Sequence, residues 1–371
     1  MKTKIPNKIF LFLIIIIIIS SNIVLAEERD DGYYTIKDKE TDEKIFATAR
    51  YVHIGDEYLN EDNKLYRITE IKEDIGYAEL IEVIDLKKYL PVTKNENDIE
   101  VLAAKNKKIS VYHTHGAESY VPTDGAESID SGGGIIQVGK TFCETLREKN
   151  IEVIHSTETH IPHDNAAYMR SRRTAKELLQ KGVDAQFDVH RDAIPPEEYT
   201  ATVNGEKVAQ TRLVVGRQNP NKSANDNFAK QLKSVGDRLY PGLIKGIFYA
   251  KGSYNQDMAP RTILVEIGTH ENDRPMAERG ASLFANVVTK TVYGEDELKS
   301  SGPMGTGEPI KGETSAFLKA IVWIVLLTAL GVGGYMIITG KSWADIKDRL
   351  SKFVNKEFAD LFNNREKGDK E

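Results

Sequence analysis

From residue 109 to residue 291, short apolar runs alternate with longer stretches in which apolar residues recur at helical spacing. The short runs predict strands, and the longer stretches predict amphipathic helices. The predicted strands cover residues 109–112, 151–155, 185–190, 211–216, 247–251 and 262–267, and the predicted helices cover residues 135–149, 165–181, 226–239 and 278–291. Because this alternation is typical of βα units, it predicts an α/β domain over residues 99–294, with a mostly parallel sheet flanked by helices on both faces.

Residues 27–98 have a different pattern, which predicts a small β-rich module ahead of the α/β domain. Apolar and polar residues alternate over 45–54, 65–71 and 77–84, and turn-forming residues separate these runs. Nothing in this stretch forms a catalytic constellation. We therefore expect the module to position the main domain or to bind a partner.

Two long apolar runs predict how the chain meets a membrane. Residues 9–19 follow three lysines and precede small residues near position 26, which predicts a signal peptide over 1–26; an uncleaved anchor is the alternative. Residues 320–338 are uncharged and long enough to span a bilayer, which predicts a transmembrane helix over 316–340. A flexible linker (295–315) precedes this helix, and an amphipathic tail (341–371) with several basic residues in its first part follows it. The positive-inside rule then places the tail in the cytoplasm and the α/β domain outside the cell membrane.

Composition narrows the classes of function. The 371 residues suffice for one or two domains, and the net charge of −6 argues against a nucleic-acid partner. Cys143 is the only cysteine, so the chain can form no intrachain disulfide.

The stretch HTHGAESY at residues 113–120 is the first candidate for chemistry. Two imidazoles, His113 and His115, end a predicted strand, where a spacing of two would direct both to one face, and Glu118 follows on the turn. This set of donors suits a zinc ion, although a polar strand end bonded to backbone or water would look the same in sequence.

Other candidate groups end other predicted strands. Seven of the eight histidines lie between residues 113 and 270, and His190 and Glu266 sit near the carboxyl ends of strands, where ligands bind in open parallel sheets. A hydrolytic zinc site needs about three protein ligands, an open position for water and a carboxylate that transfers protons. Glu266 lies on an apolar strand, where a carboxylate without a partner or a metal would be costly.

Four motifs occur in order along the chain: HTHGAESY (113–120), the pattern of His163, Asp164, Tyr168 and Ser171, FDVHRDA (187–193) and ILVEIGTHEN (263–272). Together they resemble the motifs of the stage II sporulation protein P family of cell-wall hydrolases. The resemblance covers residues 100–292 and leaves out the β-rich module. Gly116 and Ala117 replace polar residues of the family motif, and a membrane span near the C-terminus is atypical of the family.

The resemblance implies the fold of zinc-dependent N-acetylmuramoyl-L-alanine amidases and assigns roles to individual residues. It implies that His115, Glu118 and His190 bind Zn²⁺, that Glu266 is the general acid and base, and that His113 is a reserve ligand or orients the site. The implied substrate-binding residues are His163, Asp164, Arg191 and Asn272. General amidases take their carboxylate ligand from the first helix, which lacks an acid here, so Glu118 is the preferred ligand and Glu127 the second choice.

The sequence therefore predicts a membrane-tethered, zinc-dependent peptidoglycan hydrolase. It would cleave the N-acetylmuramoyl-L-alanine amide and also peptide cross-links, in connection with sporulation and engulfment. Its partners would be peptidoglycan, the cell membrane and other wall-remodelling proteins, such as one that cleaves glycan strands. The alternatives are a metal-free wall-binding or scaffold protein of the same fold, and a zinc peptidase acting on protein.

Overall fold

The computed structural model describes Arg29 and residues 31–90, 107–164 and 166–294. The predicted signal peptide, the linker over 295–315, the transmembrane helix over 316–340 and the tail over 341–371 lie outside these ranges. Among the helices within them, none has both the length and the apolar character needed to cross a bilayer.

The described residues form 13 strands and four long helices. The strands are β1 (Tyr34–Asp38), β2 (Lys44–Thr48), β3 (Glu57–Leu59), β4 (Lys64–Lys72), β5 (Ile75–Val83), β6 (Lys108–Tyr112), β7 (Glu152–His155), β8 (Ala185–Asp192), β9 (Thr200–Val203), β10 (Glu206–Ala209), β11 (Thr211–Gly216), β12 (Ile244–Ala250) and β13 (Thr262–Thr269). The helices are α1 (Gly134–Glu148), α2 (Ala167–Leu179), α3 (Lys222–Leu239) and α4 (Arg274–Tyr293). Each predicted helix is confirmed to within a few residues at its ends.

Eleven of these strands form one sheet, in the spatial order β2-β1-β5-β4-β3-β12-β11-β13-β8-β6-β7. The N-terminal strands join the rest through an antiparallel pairing of β3 with β12, in which Leu59 lies opposite Ile247. The predicted β-rich segment is thus continuous with the sheet of the α/β part.

Four of the five strand pairings that the predicted α/β domain contributes to this sheet are parallel, as predicted, and the fifth pairing and the N-terminal strands make the whole sheet mixed. Strands β7, β6, β8 and β13 do run parallel to one another. Strand β11 is antiparallel to β13, and the N-terminal strands add further antiparallel pairs. Strand β11 is reversed because the chain between β8 and β11 forms the β9–β10 ribbon instead of a helix. Without a crossover helix to carry it back, the chain returns in the opposite direction.

The two faces of the sheet have different roles, because alternate residues of a strand point to opposite sides. One face carries Val189 and Val265, which belong to the main apolar core with side chains of α1, α3 and α4. The other carries Asp188, His190 and Glu266 on β8 and β13, and we call it the site face. A second apolar cluster, to which α2 and the N-terminal strands contribute, lies on that side.

The N-terminal strands are fixed to the site face by aromatic packing. Phe46 of β2 stacks on Tyr58 with ring centroids 4.0 Å apart and meets Phe248 of β12 at 5.3 Å. Tyr168 of α2 belongs to the same buried cluster. Since aromatic pairs contribute about 0.5–1.5 kcal/mol each beyond the area they bury, these contacts hold the N-terminal strands close to the site.

Candidate metal centre and its surroundings

The turn that follows β6 places the first two candidate ligands. Strand β6 ends at Tyr112, and the backbone then turns so that Glu118 N–H donates to the His115 carbonyl over 3.1 Å. The turn rests against the start of α1, where a Cβ on Gly133 would lie only 2.0 Å from the Glu118 carbonyl oxygen. Gly133 therefore permits a close approach that fixes the turn and directs Glu118 into the interior.

Glu118 is the centre of a buried cluster of imidazoles. Its Oε1 lies 3.4 Å from His115 Nδ1 and 3.3 Å from His190 Nδ1. His163, from the loop before α2, completes a group with His115 and Glu118 in which the donor atoms all lie within 4.8 Å of one another. The predicted ligands His115, Glu118 and His190 are thus brought together from two strand ends, and His163 joins them.

Asp188 holds His190 from the opposite side of its ring. Asp188 Oδ1 lies 3.0 Å from His190 Nε2, and the carboxylate also accepts hydrogen bonds from Thr114 N–H at 2.8 Å and Thr114 Oγ1 at 2.6 Å. A carboxylate on one ring nitrogen leaves the other, Nδ1, directed at Glu118. This is how metal-binding histidines are commonly oriented.

The charges in the cluster favour a cation. Burial alone would lower the pKa of His190, but Asp188 and Glu118 outweigh it and raise this pKa to about 10. Burial would likewise raise the pKa of Glu118, but His190 and His115 hold it well below its ordinary value. The carboxylates thus carry negative charge in a site shielded from water, where a proton or a metal ion is attracted.

These residues fit the zinc ion that the sequence predicts. Imidazole nitrogens and a carboxylate oxygen are ordinary zinc donors, and a catalytic zinc takes three protein ligands. His115 and Glu118 offer two buried donors, and a third could come from His163, which shares their group, or from His190, whose Nδ1 lies 3.3 Å from Glu118 Oε1.

His113 is not brought to this cluster. Its Nδ1 bonds the Val189 carbonyl at 2.8 Å, and its Nε2 lies 2.9 Å from His155 Nε2. The ring lies beneath α1, where a Cβ on Gly139 would be 2.4 Å from it. The expectation that His113 and His115 share a face assumed an extended backbone, but the strand ends at Tyr112 and the turn separates the two rings.

A cavity of about 440 Å³ opens beside the cluster, lined by His115 and His163 and by several of the residues predicted to bind substrate. Asp164 lies on its wall and accepts a hydrogen bond from Arg170 at 2.6 Å. Arg191 lies there too, and its backbone N–H donates to Glu118 Oε2 over 3.0 Å.

Asn272 braces a loop in place of facing the cavity. It is 2% exposed, its side-chain oxygen accepts from Thr269 N–H, and its amide donates to the Pro196 carbonyl and to Thr200 Oγ1.

Glu266 lies outside the cavity wall, in a buried group of charges on the site face. It stands in register with His190 on the neighbouring strand. Its Oε1 accepts from Arg50 Nε at 2.5 Å, and its Oε2 accepts from Tyr199 OH at 2.8 Å and lies 3.4 Å from Arg212 Nη1. Two arginines, Arg50 and Arg212, therefore balance the buried charge of Glu266 on this apolar strand.

Sequence reasoning missed three of these neighbours. Asp188 had a signal, because it precedes His190 by two residues on a strand and so shares its face. Tyr168 appeared in a motif without a role, and its ring centroid lies 5.4 Å from that of His115. Arg50 had no signal, since 216 residues separate it from Glu266.

Fold and site together define a mixed α/β protein with a buried imidazole–carboxylate centre of the kind that binds a divalent metal ion. The model of the stage II sporulation protein P family (SpoIIP) matches residues 25–289, and the chain belongs to this family. The match begins ahead of β1, so the N-terminal strands, which the motif resemblance left out, lie within the family region.

A curated relative and several solved structures are similar to parts of the chain. Stage II sporulation protein P of Bacillus subtilis is 29% identical over 215 residues, which cover 53% of each chain, so the chain spans about half the length of this relative. The CwlD amidase of Clostridioides difficile, solved with the GerS lipoprotein, is 15% identical, with a TM-score of 0.36 over 50% of this chain and 98% of that one. The amidase Ami1 of Mycobacterium smegmatis is 16% identical, with a TM-score of 0.31 over 51% and 95%. Likeness at this level says nothing about activity.

Proposed function

We propose that this chain is a zinc-dependent peptidoglycan hydrolase that cleaves the amide between the lactyl group of N-acetylmuramic acid and L-alanine. The observation that carries the proposal is the buried cluster of His115, Glu118 and His190 beside an open cavity. Membership of the SpoIIP family supports a role in sporulation and a substrate in the cell wall.

His115, Glu118 and His190 would hold the zinc ion. What a bound zinc ion supplies is Lewis acidity toward the amide carbonyl and a lowered pKa of water. Asp188 keeps the His190 ring in place through Nε2, which leaves Nδ1 for the metal. His163 faces the cavity from the neighbouring loop and meets the substrate at the edge of the centre.

Glu266 would move the protons of the reaction. Hydrolysis joins the water oxygen to the lactyl carbonyl carbon and breaks the bond from that carbon to the alanine nitrogen. The Glu266 carboxylate takes a proton from the water and gives one to the departing nitrogen, so that the products are a lactyl carboxylate and a free alanine amine. Its register with His190 on the adjacent strand supports this role, since neighbouring strands lie only about 4.8 Å apart.

The charged wall of the cavity would receive the stem peptide. Arg191 is 4% exposed and lines the wall together with Asp164 and His270. A guanidinium at this position suits a carboxylate of the peptide, because it can donate two parallel hydrogen bonds to it.

Digestion of purified sacculi with the zinc-loaded protein tests the proposal. Mass spectrometry of the products should find new N-terminal L-alanine, and the same digest reports any cleavage of peptide cross-links. A folded, zinc-loaded protein that releases neither would contradict the proposal and favour a wall-binding or scaffold role. Cleavage of protein substrates without new N-terminal L-alanine would favour a zinc peptidase.

We also propose that the chain is tethered to the outer side of the cell membrane through residues 316–340. The uncharged run over 320–338 and the basic residues that follow it support this arrangement. Protease added to intact protoplasts should remove the α/β part and leave a protected fragment from about residue 320 onward. Protection of residues 107–294 in sealed protoplasts would place the site in the cytoplasm and contradict the tether.

A further inference from the structure

The end of β2 and the residues that follow it lie against the edge of the sheet where β8 ends and β11 begins. The Ala47 carbonyl accepts from Arg212 Nη2 at 2.7 Å, and Ala49 N–H donates to Asp192 Oδ1 over 3.0 Å. Each of these four residues is at most 3% exposed. A backbone held by two buried charged groups is fixed in position, and the next residue along it is Arg50.

Arg50 connects Glu266 to the rings that pack around the metal centre. It is 1% exposed, and while its Nε donates to Glu266 Oε1, its Nη1 donates to Tyr168 OH over 3.1 Å. The Tyr168 ring centroid lies 5.4 Å from that of His115 and 6.2 Å from that of His190. One guanidinium thus sets the distance between the Glu266 carboxylate and the aromatic wall of the site.

The charge balance around Glu266 depends on this arginine. Asp192 shares the group, because its Oδ2 accepts a hydrogen bond from Arg212 Nη1 at 2.8 Å. Two carboxylates therefore face two guanidiniums, those of Arg50 and Arg212. Removing one cation from such a group leaves a buried negative charge unbalanced, which favours protonation or displacement of a carboxylate.

We propose that Arg50 is a positioning residue that orients the Glu266 carboxylate for proton transfer, so that the N-terminal strands are part of the catalytic unit. The proposal rests on the function proposed above, because it assigns Arg50 a role only through Glu266. It also explains why a segment without catalytic motifs of its own lies within the family region and against the site face.

The test compares full-length, zinc-loaded R50M and R50K with the wild type and with the control R67M. Arg67 lies on β4 and pairs with Glu57 at 2.7 Å, and its side chain is 47% exposed. Release of N-terminal L-alanine from soluble peptidoglycan fragments gives kcat and KM, and zinc per chain and the melting temperature are measured on the same samples.

We expect R50M to lower kcat by about 10- to 100-fold, with KM and zinc content little changed. This is less than the full effect of general acid–base catalysis, about 10²- to 10⁴-fold, because Glu266 is displaced and not removed. R50K should recover part of kcat, because an ammonium retains the charge but cannot reproduce the fork that contacts Glu266 and Tyr168 together. R67M should resemble the wild type, since an exposed ion pair contributes little.

Wild-type kcat in R50M would overturn the proposal. So would loss of zinc and of the folded state in both R50M and R50K, because Arg50 would then serve only the fold. If R50M alone fails to fold, R50K decides: a lowered kcat with intact zinc supports the positioning role, and wild-type kcat overturns it. A wild type that releases no L-alanine would instead refute the proposed function itself.

Discussion

Two pairs of histidines lie on either side of the sheet, and their surroundings shift histidine pKa values in opposite directions. His113 and His155 meet each other beneath α1, where burial lowers the pKa of His113 to about 3 and that of His155 to about 4. His115 and His190 flank Glu118 on the site face, where carboxylates raise the pKa of His190 to about 10 in spite of burial.

The difference teaches that neighbouring carboxylates, and not burial or sequence spacing, decide what a buried histidine does here. His113 Nδ1 faces a carbonyl and must donate, so its Nε2 accepts a hydrogen bond from His155 Nε2. Both rings are then neutral members of the core. Around Glu118 and Asp188, the same side chain is placed where a cation is favoured.

The largest expected effect on catalysis comes from Glu266, which stands in register with His190 on the site face. E266Q preserves the size and most hydrogen bonds of the side chain but removes the base. We expect kcat to fall by about 10²- to 10⁴-fold while zinc per chain is retained, measured against the control E57Q on β3. Loss of zinc in E266Q would make Glu266 a ligand and contradict the role assigned to it.

A smaller effect should follow from weakening the support of His190. D188N keeps an oxygen near Nε2 but loses the charge that orients the ring, and we expect zinc affinity to fall about 10- to 100-fold. Competition with a chelator measures the affinity, with D237N on α3 as the control. Unchanged affinity in D188N would show that Asp188 does not act on the metal centre.

The other pair, His113 and His155, which we call the core-face pair, should make the stability of the fold sensitive to acid. The folded-state pKa of His155, about 4, lies below its ordinary value of 6.5, so the unfolded chain binds this proton more readily. The stability contributed by neutral His155 is complete above pH 6.5 and is lost as the pH falls toward 4, by about 2 kcal/mol between pH 7 and pH 5.

H155Q removes this titration and retains a donor for His113. Its free energy of unfolding in denaturant should therefore vary less between pH 7 and pH 5 than that of the wild type, and H53Q, in the N-terminal segment, serves as the control. Equal pH dependence in H155Q and the wild type would contradict the account of this pair.

The comparison also separates what the sequence could predict from what it could not. The strands that become β8 and β13 could be predicted, and their carboxyl ends placed His190 and Glu266 at one edge of the sheet. The position of His113 could not be predicted, because the course of the chain after Tyr112 depends on how the turn packs against Gly133. The reversal at β11 and the contact of Arg50 with Glu266 depend on pairing between distant parts of the chain, which local patterns do not encode.

The metal content of matched variants tests most directly whether the site-face cluster, and not the core-face pair, is the metal centre. The full chain would be purified without chelators, and zinc per chain measured in the wild type, H190A and H155Q. We predict about one zinc per chain in the wild type and in H155Q, and its loss in H190A. A folded wild type without zinc, or a zinc content that falls in H155Q and persists in H190A, would contradict the account.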